Sequence, residues 1–228
     1  MKALAEQDEA AEGMWLRAEQ QVGGVGRLGR KWESPAGNLY CSTVVDIRPG
    51  DPSPSTLSFV TALAVHDMLK DQLSTETPIL LKWPNDVLVK DAKICGILLE
   101  RVKDKVVVGI GINVTTAPNV ADRPTTSMHL ADGHFGKDAE KVLDILIPAF
   151  GKRLKQWRQS GLPSILQDWL RAAHEAGSNL LVSGHDGEKI VGEYQGLNED
   201  GALRLRKADG TLIVLHAGDV ELDQRDAG

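Results

Sequence analysis

Between Pro78 and Val114 the apolar residues change their period, and this stretch limits most strongly what the chain can become. Ile79-Leu80-Leu81-Lys82, Val87-Leu88-Val89, Ile94 to Glu100 and Val106 to Val114 are short apolar runs. Turn-forming residues at Pro84-Asn85-Asp86, Lys90-Asp91-Ala92-Lys93 and Lys103-Asp104-Lys105 separate them. Strands joined by such short turns lie side by side and run in opposite directions, so a β-meander is expected.

Upstream, residues 2–12 read as a short amphipathic helix, 14–22 as a strand, and 23–30 as a glycine-rich loop. Leu39 to Ile47 is rich in β-branched residues and reads as a strand. Pro49 to Ser55 suits a helix start, and Leu57, Val60, Ala64, Met68 and Leu69 then recur at helical spacing through Leu73. After a polar loop at 115–136, residues 138–159 read as a helix with Val142, Ile145, Ala149 and Trp157 on one face, and 163–174 as a second. Pro148 removes a backbone donor inside the first of these, so a kink or break is expected there. Helices and strands come in blocks, which argues an α+β fold: a mixed, largely antiparallel sheet with packed helices.

Ala176-Gly177-Ser178 marks a boundary, dividing the chain into 1–177 and 178–228. Beyond it come Leu180 to Ser183, Lys189 to Leu197, Ala202 to Arg206, Leu212 to Leu215 and Val220 to Leu222. Turns at His185-Asp186-Gly187-Glu188 and Asn198-Glu199-Asp200-Gly201 separate some of these runs. So many short strands in so few residues suggest a small barrel, with too little core to stand without docking on the main domain.

Charge narrows the partners: 32 acidic against 26 basic residues leave −6, so a polyanion site has to be local, and a generic nucleic-acid binder is disfavoured. No apolar run approaches the roughly eighteen residues of a membrane span, and the acidic start at Met1 is unlike a secretory signal. Cys41 and Cys95 lack CxxC spacing and read as reduced thiols of a cytoplasmic protein. Histidines 66, 129, 134, 174, 185 and 216 show no metal-ligand spacing, and Ser42 and Ser58 sit in no nucleophile elbow.

The strongest local feature is Gly23-Gly24-Val25-Gly26-Arg27-Leu28-Gly29-Arg30-Lys31-Trp32. Its glycines allow close backbone approach and an anion-binding nest, its cations supply donors, and Trp32 can cover a flat heterocycle. Alone, it is equally a solvated surface loop, and its glycine spacing is neither a Walker loop nor GxGxxG. Lys82-Trp83-Pro84-Asn85-Asp86 offers a phosphate partner, an amide able to read an adenine edge, and a Mg²⁺ ligand, though Pro-Asn-Asp is good turn chemistry anywhere. Lys93 and Gly96 open the next strand, and the two glycines of Gly109-Ile110-Gly111-Ile112-Asn113-Val114 suggest that something packs on bare backbone.

In this order the glycine-rich Arg loop, Ser34-Pro35-Ala36-Gly37-Asn38-Leu39-Tyr40, KWPND, Lys93-x-x-Gly96-Ile97-Leu98-x-Glu100 and GIGINV resemble the biotin protein ligase family, from about Ala18 to Val114 and more loosely beyond. The resemblance implies a class II synthetase-like catalytic domain over 1–177 and an SH3-like barrel over 178–228. It implies that the biotin carboxylate attacks the α-phosphate of MgATP to give biotinyl-5′-AMP. A lysine of a biotin carboxyl carrier domain, as in acetyl-CoA carboxylase, then displaces AMP. Arg27 and Lys93 fall on the family's key basic positions. Gln21, Gly24, Val25, Gly26, Arg27, Lys93 and Gly96 fall on its biotin positions, and Arg30, Trp32, Lys82, Asn85, Asp86 and Asn113 on its ATP positions, with Asp86 near Mg²⁺.

Two departures stand out. The family loop reads Gly-Arg-Gly-Arg, but here it reads Gly24-Val25-Gly26-Arg27, so leakage of the adenylate or weaker biotin affinity is expected. Family members also carry a Ser-Thr-Asn strand before the first helix, whereas Met1 falls within that helix, so either the start lies too far downstream or one wall of the biotin pocket is missing. No DNA-binding helix-turn-helix is seen, and relatives of this fold leave monomer and homodimer open. The alternatives are a ligase for another acid such as lipoate, a non-catalytic relative holding biotin or its adenylate, and a nucleic-acid binder using the Arg loop.

Overall fold

The expected meander forms, and the rest of the fold is built on its two faces. In a computed structural model of the chain, the residues described are 1–120, 123–132, 138–184 and 188–222. In order, they form α1 (Lys2–Glu6), β1 (Trp15–Ala18), β2 (Leu39–Asp46), α2 (Leu57–Gln72), β3 (Ile79–Lys82), β4 (Asp86–Val89), β5 (Ala92–Val102) and β6 (Lys105–Ile112). There follow α3 (Met128–Ala131), α4 (Ala139–Arg171), β7 (Asn179–Ser183), β8 (Lys189–Leu197), β9 (Leu203–Arg206), β10 (Leu212–Leu215) and β11 (Asp219–Leu222). Strands β1 to β6 make one six-stranded sheet in the order β1-β2-β6-β5-β4-β3, antiparallel throughout.

Alternation divides this sheet. Val106, Val108, Ile110 and Ile112 of β6 and Cys95 and Ile97 of β5 point into a core closed by α2 and α4. The opposite face carries Gly96, Gly109 and Gly111, and therefore stays low and open. At the far end of that face, α1 buries Ala5 against Val44, Val102 and Val107.

One irregularity matters for chemistry. Val87 pairs with Cys95 but Leu88 pairs with Lys93, so Ile94 is an extra residue on β5. Ile94 and Cys95 both enter the core. In a regular strand Lys93, three residues before Gly96, would point away from the glycine face; the bulge turns it back onto that face.

Several local expectations are corrected. The first helix stops at Glu6 rather than running to residue 12, because Asp8 takes a left-handed conformation (φ 64). The Glu9 N–H then reaches back to the Leu4 carbonyl and that of Asp8 to Ala5, a Schellman ending. The strand expected over 14–22 is confined to Trp15–Ala18. The polar loop contains α3, started by the Ser127 hydroxyl, which accepts from the Leu130 N–H at 3.2 Å. Helical dihedrals continue through Pro148 and fail instead at Gly161 (φ 73, ψ 178), two residues before Pro163. Proline disfavours helix in the residue before it, and glycine absorbs the turn. Part of the 115–136 loop and the His185-Asp186-Gly187 portion of one turn lie outside the described residues.

The last strands form a second antiparallel sheet in the order β10-β9-β8-β7-β11. Their number and pairing suit an SH3-like unit, but among the described residues no ladder joins β10 to β11. Over the described residues the sheet therefore does not close into a complete barrel. Its ladder is interrupted between Tyr194 and Leu197, where Gly196 has φ 85 and a bulged strand bends. Leu180, Val182, Tyr194, Leu203, Leu205 and Val220 belong to the same hydrophobic core as α2, α4 and the first sheet. Across this border the buried Trp83 indole donates to the Gly201 carbonyl at 3.0 Å. No helix among the described residues is long and apolar enough to cross a membrane.

Candidate active site

A cavity of about 560 Å³ lies on the glycine face of the first sheet, walled by the Arg loop on one side and the edge of β11 on another. This size is within the range of roughly 300–1,000 Å³ usual for small-molecule sites. The loop is a small hairpin: the Trp32 N–H donates to the Gly24 carbonyl (2.9 Å) and the Gly26 N–H to the Arg30 carbonyl (2.7 Å). A Cβ on Gly24 would stand 2.5 Å from the Trp32 carbonyl oxygen and 2.9 Å from Oε1 of Gln21, so only glycine fits there. Gln21 Oε1 accepts from the Ser34 hydroxyl (3.0 Å), while Val25 stands half-exposed at the cavity wall.

What packs on the bare backbone is Trp32. Gly96 and Gly111 are cross-strand partners, and a Cβ on either would meet the indole, at 2.9 Å and 2.8 Å respectively. Lys93 Nζ lies 5.5 Å from the centre of the same ring, close enough for a cation–π contact.

The KWPND segment supplies the floor, and its Trp83–Pro84 peptide is cis. Lys93 Nζ donates to Asp86 Oδ1 at 2.6 Å, and Lys82 Nζ lies 3.6 Å from Oδ2. Lys82 therefore stands behind Asp86, off the cavity wall, and burial pushes its pKa down against the pull of Asp86. Both oxygens of Asp86, the carboxylate expected near Mg²⁺, face ammonium groups. Among the described residues no three His, Cys, Asp or Glu side chains are grouped to hold a metal. Asp86 thus positions Lys93, and as a lone carboxylate on the cavity wall it also fits a magnesium ion held mainly by substrate phosphates.

Asn85 uses both ends of its amide inside the protein: Nδ2 donates to the Ile97 carbonyl (2.6 Å) and Oδ1 accepts from Arg27 (3.1 Å). In this arrangement it tethers Arg27 rather than offering an edge to adenine. Asn113 differs. Its Nδ2 donates to the Thr126 carbonyl (3.0 Å), but its buried Oδ1 has no hydrogen-bond partner among the described residues. Burial lowers the pKa of Arg27 and the nearby Asp219 and Asp86 oppose this, so the guanidinium stays charged.

Two further charged residues on the wall escape a reading of motifs. Asp219, at the start of β11, accepts a two-pronged fork from Arg30 (2.7 and 3.0 Å) and a bond from Arg123 (3.4 Å). Burial acts to raise the Asp219 pKa, but Arg30 and Arg123 outweigh it and hold the carboxyl below the usual range. Arg123 follows no motif, and Asp219 lies among short strands more than a hundred residues from the loop it meets, so neither carries a sequence signal. The cavity thus gathers Gln21, Gly24, Val25, Gly26, Arg27, Arg30, Trp32, Asn85, Asp86, Lys93, Gly96 and Asn113, leaving only Lys82 behind the wall.

Comparison with known proteins identifies the family. The model of the biotin/lipoate A/B protein ligase family matches residues 4–116, and that of the biotin protein ligase C-terminal domain matches residues 181–223. The chain is 35% identical over 210 residues to a biotin–(acetyl-CoA-carboxylase) ligase of Paracoccus denitrificans, covering 88% of this chain and 87% of that one. It is 31% identical to a bifunctional ligase/repressor of Bacillus subtilis, covering 94% of this chain and 68% of the relative. A structure of biotin protein ligase from Aquifex aeolicus in complex with biotin and ATP superposes with a TM-score of 0.83 at 29% identity, covering 97% of this chain and 94% of that one. Together these matches show that the chain belongs to the biotin protein ligase family.

Proposed function

We infer that this protein activates biotin with ATP and transfers the biotinyl group to a lysine of a carboxylase carrier protein. The observation that carries the reading is the meeting of Arg27 and Lys93 on either side of the Asn85-Asp86 turn, over a glycine-bare sheet face. A biotin carboxylate oxygen bonds to the α-phosphorus of ATP and the bond to pyrophosphate breaks, giving biotinyl-5′-AMP. The unprotonated amine of the carrier lysine then bonds to the acyl carbon, AMP leaves with the bonding pair, and the amine loses a proton.

Two anions must approach each other in the first step. Arg27 and Lys93 offset their repulsion and the charge that develops at phosphorus, and fixed cations cost no reorganisation at that moment. Asp86 holds Lys93 in place, and Asn85 does the same for Arg27. Trp32 forms the flat wall, and Asn113 Oδ1 is the open acceptor suited to an adenine amino group. Gln21, Gly24, Val25, Gly26 and Gly96 line the biotin side, and Arg30 the nucleotide side, with magnesium arriving as part of the ATP substrate. The carrier belongs to acetyl-CoA carboxylase in this reading, and the net charge of −6 speaks against a nucleic-acid partner. Residues 1–177 form the catalytic unit and 178–228 the C-terminal one, a division supported by the two separately hydrogen-bonded sheets.

The test is exchange of labelled pyrophosphate into ATP, followed by transfer to a purified carrier domain read with streptavidin. Exchange that requires biotin, with lipoate inert, is expected. Folded protein that exchanges only with lipoate, or with neither acid, would overturn the reading.

A further inference from the structure

Three guanidinium groups, two from the Arg loop and one from Arg123, converge on one short segment of the C-terminal sheet. Arg30 grips both oxygens of Asp219, Arg123 bonds one of them at 3.4 Å, and Arg27 lies 4.0 Å from the other while donating to the Gly218 carbonyl at 3.4 Å. All four charged side chains line the cavity. We propose that Asp219 is the positioning residue for a cradle of Arg27, Arg30 and Arg123 that holds the β- and γ-phosphates of ATP and the departing pyrophosphate. The proposal rests on the ligase reading and adds Asp219 and Arg123 to it.

The charge count points to a multiply charged anion. One carboxylate faces three guanidinium groups, and the other charges on the wall pair off: Lys31 with Glu33 (3.9 Å), Lys2 with Glu100 (2.8 Å), and Lys93 with Asp86 (2.6 Å). Each guanidinium has five N–H donors in a rigid fork, so Asp219 can hold Arg30 and Arg123 by some and leave others for phosphate oxygens. The order also fits. Arg27 bonds both Asn85, beside the Asp86–Lys93 pair, and Gly218, so the cations run without a break from Lys93 to Arg30 and Arg123. A triphosphate whose α-phosphate meets Lys93 extends its remaining phosphates along this line.

The two half-reactions separate this role from a purely structural one, because acyl transfer from preformed biotinyl-AMP involves neither the β- nor the γ-phosphate. Asp219→Asn is expected to raise KM for ATP and for pyrophosphate about tenfold, the loss of a charge-assisted fork. KM for biotin and transfer from supplied biotinyl-AMP change much less, by under about threefold, because Asn85 still holds Arg27, and Asp219→Glu recovers most of the loss. Arg123→Gln shows the same split and carries the test alone if Asp219→Asn does not fold. Equal losses in both half-reactions would reduce Asp219 to a structural contact and overturn the proposal. So would a lower KM for ATP, which would make Asp219 a competitor of the phosphates, or no change at all. Biotin-dependent exchange by the unmodified protein, measured alongside, shows whether a failure belongs to this proposal or to the ligase reading beneath it.

Discussion

Gly111→Ala separates the stability of the fold from the use of its site. The added Cβ would stand 2.8 Å from Cε2, Cζ2 and Nε1 of Trp32. Carbon atoms pack best at about 3.5–4.0 Å, so the indole must retreat by roughly 0.7 Å or more. Trp32 belongs to the loop hairpin rather than the hydrophobic core, so the fold can accommodate that movement. Alanine in a strand interior is favoured over glycine by about 0.5–1 kcal/mol. For a chain of this size that corresponds to a rise in Tm of roughly 1–4 °C. The site behaves in the opposite way. The indole walls the cavity and carries the cation–π contact of Lys93, and misplacement by about 1 Å can cost around a hundredfold in rate. The expected result is a ten- to hundredfold loss of biotin-dependent ATP–pyrophosphate exchange in a protein whose Tm is level or raised. Exchange within twofold of the parent protein would refute the seating argument. A fall in Tm of more than about 5 °C would show that the ring is locked in place and the strain falls on the sheet instead.

Lys93→Met removes the ammonium group while preserving much of the side chain's apolar bulk. Exchange should fall by about 10²–10³, the usual cost of losing one preorganised charge, with the circular dichroism spectrum intact. Acid stability should respond to Asp67: burial acts to raise its pKa, but His66, 3.8 Å away and too far for a hydrogen bond, and the Arg153 fork at 2.7 and 2.9 Å bring it down to about 2. Because the folded pKa lies below the unfolded one, this stabilisation is present above about pH 4 and lost as pH falls towards 2. Urea unfolding of Asp67→Asn should therefore show a shallower decline over that interval than the parent, and parallel curves would contradict the assignment. Burial pushes the Cys41 thiol up to about 12 and raises Cys95 as well. Both thiols should react with a disulfide reagent at pH 8 only after denaturation, and rapid modification of the native protein would show that the sheet face opens.

The strands were legible because each carries its own turn. Lys90 and Asp91 (φ 51 and 60) form a two-residue hairpin loop of the kind such residues suggest, and the short C-terminal strands lie within a residue or so of the apolar runs that announce them. The Lys93-x-x-Gly96 spacing was legible as a motif but not as geometry. Strand periodicity alone would send Lys93 to the wrong face, and only pairing with β4 reveals Ile94 as the extra residue. Likewise Gly109 and Gly111 announce a close approach without saying that Trp32 makes it through Gly111 and Gly96. The break at Gly161 falls in the gap expected between 159 and 163, where glycine and proline announce it, but the first helix's end was not visible, because Asp8 stops it through a left-handed conformation that its residue type does not announce. Asp219 and Arg123 had no local signal at all, since their role depends on the docking of the second sheet.

That docking has a consequence for how the protein can be taken apart. The Trp83 indole is anchored to Gly201, Phe59 packs within contact of the same glycine, and Trp83 immediately precedes the Pro84-Asn85-Asp86 turn. The two units share one cooperative interior, so heat or denaturant should melt them in a single step despite their separate sheets. The C-terminal segment is thus not an interchangeable cassette. A chimera that imports it from a distant relative inherits a mismatch beneath Trp83, and that mismatch reaches the Asn85-Asp86 pair before it touches any ligand.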